Sequence, residues 1–149
     1  MNVRHVEQEG HEGIDVTVTS APGDERARRL AGRLQALDQR VVAYEPGSII
    51  RRMVAPEEIL LVELCSEHTC IRTASGLELE SPLRLYEIED ALGRGNFVRA
   101  SRQALVNFDK VVAIRPELNR RLMLRLEDGT NVLVTRTYVP DIRRLLKVG

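Results

Sequence analysis

The chain has 149 residues, of which 43% are hydrophobic and 30% are charged, a balance typical of a soluble globular protein. This length suits one domain of ordinary size with a modest extension. The sequence contains no run of about 18 apolar residues and no cationic-apolar leader, so it predicts neither a membrane span nor a secretory signal. We therefore expect a cytoplasmic protein.

The formal net charge is zero, but the charge is unevenly distributed along the chain. Residues 90–149 hold 12 basic and 6 acidic side chains, for a net +6, and residues 1–89 carry −6. Such asymmetry indicates a polyanionic partner for the basic half. Of the 22 basic residues, 20 are arginine, the better bidentate donor, although a compositional bias of the source genome would give the same excess.

The N-terminal third predicts a strand and a helix after a frayed, polar segment at residues 1–13. Residues 14–19 alternate apolar and polar side chains, the pattern of a half-buried strand. Alanines and leucines recur at helical spacing between Asp24 and Asp38, which predicts an amphipathic helix. Its apolar stripe packs either on the chain's own β-domain or in a dimer interface, and we favour the dimer.

The middle of the chain predicts short strands at residues 41–44, 48–54, 59–64 and 71–73, separated by turn signals. Cys65 and Cys70 flank a polar tip between the last two of these strands. A helix is expected to begin at Ser81-Pro82 and to end at Gly93 and Gly95. The side chains that we expect this helix to bury are Leu85, Ile88 and Leu92.

The C-terminal part predicts a hairpin and a helix. Residues 121–127 place three leucines on one face of a strand, and Asp128-Gly129 is a strong hairpin signal. Residues 135–138 form the junction to a last helix. In that helix we expect inward-facing side chains at Val139, Ile142, Leu145 and Leu146.

Residues 97–107 read Phe-Val-Arg-Ala-Ser-Arg-Gln-Ala-Leu-Val-Asn, two apolar pieces around a polar turn. Arginine, serine and glutamine in that turn suit hydrogen bonds to phosphates and base edges. On residue chemistry alone, however, the segment predicts only a polar loop between two strands.

This segment resembles the hallmark of the LytTR family of bacterial DNA-binding domains. The family has a phenylalanine, an arginine, a basic-serine turn, then an aliphatic pair and an asparagine. The resemblance covers about residues 47–147 in the order and spacing of strands, turns and helices. One departure makes the target sequence harder to infer: the usual His-Arg-Ser-aromatic is Ser101-Arg102-Gln103-Ala104 here.

The resemblance implies a β-rich α+β fold, an elongated antiparallel β structure with short flanking helices. Residues 1–45 would form a strand–helix extension and residues 46–149 the DNA-binding domain. It also implies that loops at residues 66–69, 99–103 and 135–138 enter successive major grooves of double-stranded DNA and bend it, without a recognition helix. The DNA contacts so expected are His68, Thr69, Arg99, Ser101, Arg102, Gln103, Arg136 and Thr137.

The resemblance further implies a transcriptional regulator, and we expect it to form a homodimer on DNA. A small membrane protein is a candidate regulator of it. The alternative is a β-rich protein–protein adaptor whose acidic N-terminal half recruits a partner.

We expect no catalysis, small-molecule substrate, cofactor or metal. His5, His11 and His68 lack the spacing of a metal site or triad, and two cysteines alone do not make a zinc site. Cys65 and Cys70 are expected to be structural thiols, with oxidation of the pair as the alternative.

Overall fold

Ten β-strands and three α-helices form the framework of the part of the chain that the computed structural model describes, residues 1–36, 40–92 and 96–148. The helices are α1 (Glu25–Ala36), α2 (Leu85–Ala91) and α3 (Val139–Val148). The strands are β1 (Val41–Tyr44), β2 (Arg51–Val54), β3 (Ile59–Cys65), β4 (His68–Thr73), β5 (Glu78–Ser81), β6 (Phe97–Ser101), β7 (Ala104–Asn107), β8 (Val111–Glu117), β9 (Arg121–Leu126) and β10 (Asn131–Val134). The predicted β-rich α+β fold class is confirmed.

Seven strands form one antiparallel sheet in the order β2-β1-β5-β4-β3-β7-β6. This sheet has an apolar core on each face, so the interior strands β3 and β7 are apolar almost throughout. Along β7, Leu105 packs in the core that includes α2, while Ala104 and Val106 pack in the core on the other face. Successive side chains of a strand point to opposite faces, so a short apolar run serves both cores.

Strands β8, β9 and β10 form a second antiparallel sheet, which packs with α3 on one face of the large sheet. Leu122, Leu124 and Leu126 are buried, as their alternation predicts. The turn at Asp128-Gly129 joins β9 to β10, and Gly129 has a φ of +90°, which glycine adopts without steric cost. The predicted hairpin is confirmed.

The helix expected at Ser81-Pro82 begins later, at Leu85, so its predicted start was wrong. Ser81 is instead the buried last residue of β5, and its Oγ accepts the N–H of Leu83 at 3.1 Å. Serine before proline usually signals the start of a helix. Here Ser81 pairs with Thr69 of β4 instead, so the strand continues through this position. Gly93 and Gly95 lie outside the described residues.

The predicted strand at residues 14–19 is absent, and this prediction was wrong. Ile14 and Val16 are 91% and 61% exposed. No strand of the described chain pairs with this segment, so its alternation has neither a hydrogen-bonding partner nor a core to face.

Helix α1 is confirmed, and Asp24 caps its start by accepting the N–H of Arg26 at 2.9 Å. The predicted end at Asp38 lies outside the described residues. The helix lies against α3, and Arg33 Nε is 3.3 Å from Asp109 Oδ2. The stripe residues Leu30, Ala31 and Leu34 are half-buried within one chain, and dimerisation stays a prediction.

The boundary predicted between residues 45 and 46 falls inside a hairpin. Strand β1 pairs with β2, with Val41 opposite Val54, and also with β5. Whether the residues before β1 form a separate extension stays a prediction.

In α3, Val139 and Ile142 are buried as expected. Leu146 is 47% exposed, so its inward orientation was predicted wrongly. Within the described ranges, no helix is long and apolar enough to cross a membrane.

Candidate nucleic-acid interface

Three loops lie together at one end of the molecule: the β3–β4 turn, the β6–β7 turn and the β10–α3 junction. Glu63 near the end of β3 lies opposite Ala104 at the start of β7, which places the first two turns side by side. The N–H of Leu64 donates to the carbonyl of Gln103 at 2.9 Å, and the N–H of Thr135 donates to the carbonyl of Ala100 at 2.9 Å. Residues distant in the sequence are thereby joined into one surface.

The β6–β7 turn presents two polar side chains on a fixed backbone. Arg102 and Gln103 are both exposed, while the preceding Ala100 is fully buried. The Oγ of Ser101 accepts the N–H of Gln103 at 3.1 Å, which stabilises the turn. Among the described residues, the Arg102 side chain has no hydrogen-bonding or ionic partner. Its guanidinium is therefore available to an external acceptor.

Arg99 lies behind the turn, and its side chain is only 19% exposed. Its Nε and Nη2 donate to Glu89 Oε2 and Oε1 on α2, at 3.2 and 3.3 Å. Its Nη1 donates to the carbonyl of Arg102 at 3.0 Å. Arg99 therefore connects α2 to the turn and supports the backbone of Arg102. Both arginines were predicted from the sequence as DNA contacts.

The two ends of the segment 97–107 also serve the fold. Phe97 packs against the core that includes α2. Asn107 is buried, donates its amide Nδ2 to the carbonyl of Ile59 at 2.9 Å and accepts the N–H of Asp109 at 3.1 Å. The exposed polar side chains of the segment therefore lie in its central turn.

At the β3–β4 turn the structure separates the two predicted contacts. His68 is exposed and lies opposite Cys65 beside the turn. Thr69 is 3% exposed, and its hydroxyl donates to the carbonyl of Leu83 at 2.7 Å. Because adjacent strand residues point to opposite faces, only one of the two can face outward. Thr69 therefore faces inward in this structure, and its expected contact with DNA stays a prediction.

At the β10–α3 junction, Arg136 and Thr137 are exposed on a single turn of 3-10 helix. The turn is held from both sides. The N–H of Thr135 donates to the carbonyl of Ala100 on β6. Half-buried Tyr138 packs against the core that includes Val139 and Ile142 of α3, and its N–H donates to the carbonyl of Thr135 at 3.0 Å. Arg136 therefore projects from a rigid support.

Arg136 also lines a shallow, open concavity with three further arginines, Arg120, Arg143 and Arg144. Arg144 forms an ion pair with Asp141. Arg120 and Arg143 were missed from the sequence, because one follows β8 and the other lies on α3, and only the fold brings them together. The available signal was the pair of arginine doublets, at residues 120–121 and 143–144, in the basic half of the chain.

Cys65 and Cys70 are free, half-buried thiols on the β3–β4 hairpin. Burial, together with the adjacent Cys65 thiol, raises the pKa of the Cys70 thiol to about 12. Cys70 is therefore protonated near neutral pH, which favours the structural role over thiolate chemistry. In the part of the chain that the structure describes, no group of three or more His, Cys, Asp or Glu side chains could hold a metal ion.

A β-rich domain that presents exposed arginines on clustered loops has the surface chemistry of a nucleic-acid-binding protein. Comparison with known proteins agrees with this assignment. Residues 51–147 match the family model described as the LytTr DNA-binding domain. The chain belongs to this family, and its domain at residues 51–147 is a DNA-binding domain.

Relatives extend the comparison. The chain is 26% identical over 96 residues to the sensory transduction protein LytT of Bacillus anthracis and 33% identical over 64 residues to that of Bacillus subtilis, covering 64% and 43% of this chain. It spans only 39% and 27% of the length of those two relatives.

A solved structure supports the same fold. It is the LytTr DNA-binding domain of a methyl-accepting/DNA response regulator from Bacillus cereus, which superposes with a TM-score of 0.66 at 23% identity. The match covers 73% of this chain and 97% of the other. The β-rich architecture described above is therefore that of a LytTr domain.

Proposed function

We propose that this protein is a transcriptional regulator that binds specific sequences of double-stranded DNA through the three clustered loops. The observation that carries the proposal is the pair of backbone hydrogen bonds, Leu64 to Gln103 and Thr135 to Ala100, that hold the loops together. Two of these loops carry exposed arginines, Arg102 and Arg136. A side chain that discriminates between bases needs such rigid support.

In this proposal Arg102 and Arg136 donate hydrogen bonds to base edges in the major groove. Guanine is the favoured partner, since its O6 and N7 match a guanidinium, and each such contact contributes about 1–3 kcal/mol of discrimination. His68 supplies the contact from the β3–β4 turn. Ser101, Gln103 and Thr137 contact bases or phosphates beside the arginines.

Arg99 and Thr69 receive a different role in the proposal. Arg99 positions the β6–β7 turn from behind, through its bonds to Glu89 and to the Arg102 carbonyl. Thr69 fixes β4 to the segment before α2. Both residues act on DNA binding through the positions of other side chains.

The exposed candidates all lie on turns and strand ends, so loops rather than a helix enter the DNA. We propose that the loops occupy successive major grooves of a bent duplex. Membership of a DNA-binding family favours this function over the protein–protein adaptor.

We further propose that the protein acts in the cytoplasm and binds as a homodimer, which would double the DNA contacts. The relatives are named sensory transduction proteins, and a small membrane protein that restrains this regulator would supply a signal. Co-purification of the two from detergent extracts would support that partner, and their consistent separation would count against it.

Selection of bound fragments from genomic DNA tests the proposed function. The expected result is enrichment of a motif whose conserved blocks are spaced about one helical turn, roughly 10 bp, apart, because adjacent major grooves on one side of the duplex have that spacing. A purified protein that retains no DNA at low salt, or that enriches no motif, would contradict the proposal.

A further inference from the structure

The concavity that Arg136 lines contains arginines that lie outside the three loops. We call the surface lined by Arg120, Arg136, Arg143 and Arg144 the arginine concavity. Arg120, Arg136 and Arg143 are exposed, and none has an ionic partner among the residues that the structure describes. The other lining residues, Thr137, Val139 and Pro140, carry no charge.

The backbone at Arg120 is a second, independent observation. Asn119 and Arg120 adopt φ values of +62° and +60° in the β8–β9 turn. Asparagine tolerates this left-handed conformation, whereas arginine is disfavoured there because its Cβ approaches the backbone. The turn is stabilised by Arg121, whose Nε donates to the carbonyl of Leu118 at 3.0 Å. Tight hairpin turns often need such φ values and usually place glycine there, so an exposed arginine without an ionic partner at this position is a candidate functional residue.

We propose that Arg120 and Arg143 bind backbone phosphates of the same duplex whose bases Arg102 and Arg136 contact. The inference rests on the proposed function and extends its interface to the β8–β9 turn and to α3. Guanidinium groups donate bidentate hydrogen bonds to phosphate oxygens, and such contacts fix the orientation of a protein on DNA without selecting its sequence.

The duplex backbone is the occupant that this surface fits. The arginine concavity is open and shallow, so it suits a long, continuous polyanion more than an enclosed small anion. Arg136 belongs both to the concavity and to the junction that Thr135 ties to β6, so the two surfaces are continuous. A duplex that lies on the loops therefore passes over the β8–β9 turn.

Salt dependence of binding tests the proposal, using a duplex obtained by selection and a scrambled duplex of the same length. Each lost phosphate contact should reduce the slope of log K against log salt concentration by about 0.9. We expect this reduction for Arg120→Gln and for Arg143→Gln. Because phosphate contacts carry no base information, affinity for both duplexes should fall by a similar factor.

Arg125→Gln is the matched control, since Arg125 is also exposed but lies beside the β9–β10 turn, at the other end of β9. Its slope should equal that of the wild type. Wild-type slopes in both arginine-concavity variants, with wild-type binding intact, would overturn the inference alone. An unmodified protein that binds neither duplex would overturn the proposed function and the inference with it.

Discussion

Arg99 and Arg102 are three positions apart in one segment, and the sequence predicted a DNA contact for both. In the fold, Arg99 is held by Glu89 and by a backbone carbonyl, whereas Arg102 is exposed at the turn. The acceptor that distinguishes them is on α2, and no local pattern specifies that contact. Residue type alone therefore does not separate an arginine that is used within the fold from one that is exposed, whereas tertiary contacts do.

The Arg99–Glu89 pair can be tested by a double-mutant cycle. With Arg99→Ala, Glu89→Ala and the double variant, we expect a coupling free energy of about 1 kcal/mol in urea unfolding, since the pair is charged and partly buried. Arg99→Ala should also weaken specific DNA binding, because the Arg102 carbonyl loses its donor. A coupling of zero would mean that Arg99 is free in solution.

Thr69→Val tests the buried hydroxyl. The change preserves shape but leaves the carbonyl of Leu83 without its donor, and we expect a loss of about 1–3 kcal/mol in the free energy of unfolding. The affinity of the folded protein for DNA should remain near that of the wild type. Unchanged stability together with lost binding would instead place Thr69 in the interface.

Secondary-structure elements were predictable where the pattern is local and strong. The alternating leucines of β9 and the Asp128-Gly129 turn predict their hairpin, because period and turn chemistry agree there. Strand β5 has a single buried apolar residue, Leu79, and its pairing with β4 is set by tertiary structure. Residues 14–19 are the opposite case. Their apolar and polar side chains alternate regularly, but they form no strand because no described strand pairs with them.

The β9–β10 hairpin should show a specific sensitivity to acid. The N–H of Thr130 donates to Asp128 Oδ1 at 2.9 Å, and this bond is the main reason that the pKa of Asp128 lies below its ordinary value of 3.8. A carboxyl whose pKa is lowered by folding stabilises the protein above that ordinary value and loses its contribution as the pH falls through the lowered pKa.

The corresponding comparison is thermal unfolding of the wild type and Asp128→Asn across acidic pH. The wild type should be the more stable protein near neutral pH, and the difference should shrink as the pH falls below 3.8. A difference that stays constant with pH would show that the Asp128 carboxylate contributes nothing through its charge.

For the whole molecule, net charge is a poor guide to function. The sum is zero, yet the fold gathers Arg102, Arg136 and the arginine concavity toward one end. The excess of basic residues after residue 89 indicated a polyanionic partner, but it did not show where on the molecule that partner would bind. That surface is formed by segments from four parts of the chain, and long-range strand pairing of this kind is not encoded in local sequence patterns.

The claim on which the account depends is that arginines on clustered loops contact the duplex. Its most direct test is a mobility-shift titration of the selected duplex with Arg102→Ala, Arg136→Ala and the control Arg125→Ala. We predict that specific binding is lost in the first two variants and retained in the third. Thermal unfolding should stay near wild type in all three, because exposed side chains contribute within about 0.5 kcal/mol. Undiminished affinity in both Arg102→Ala and Arg136→Ala would contradict the account.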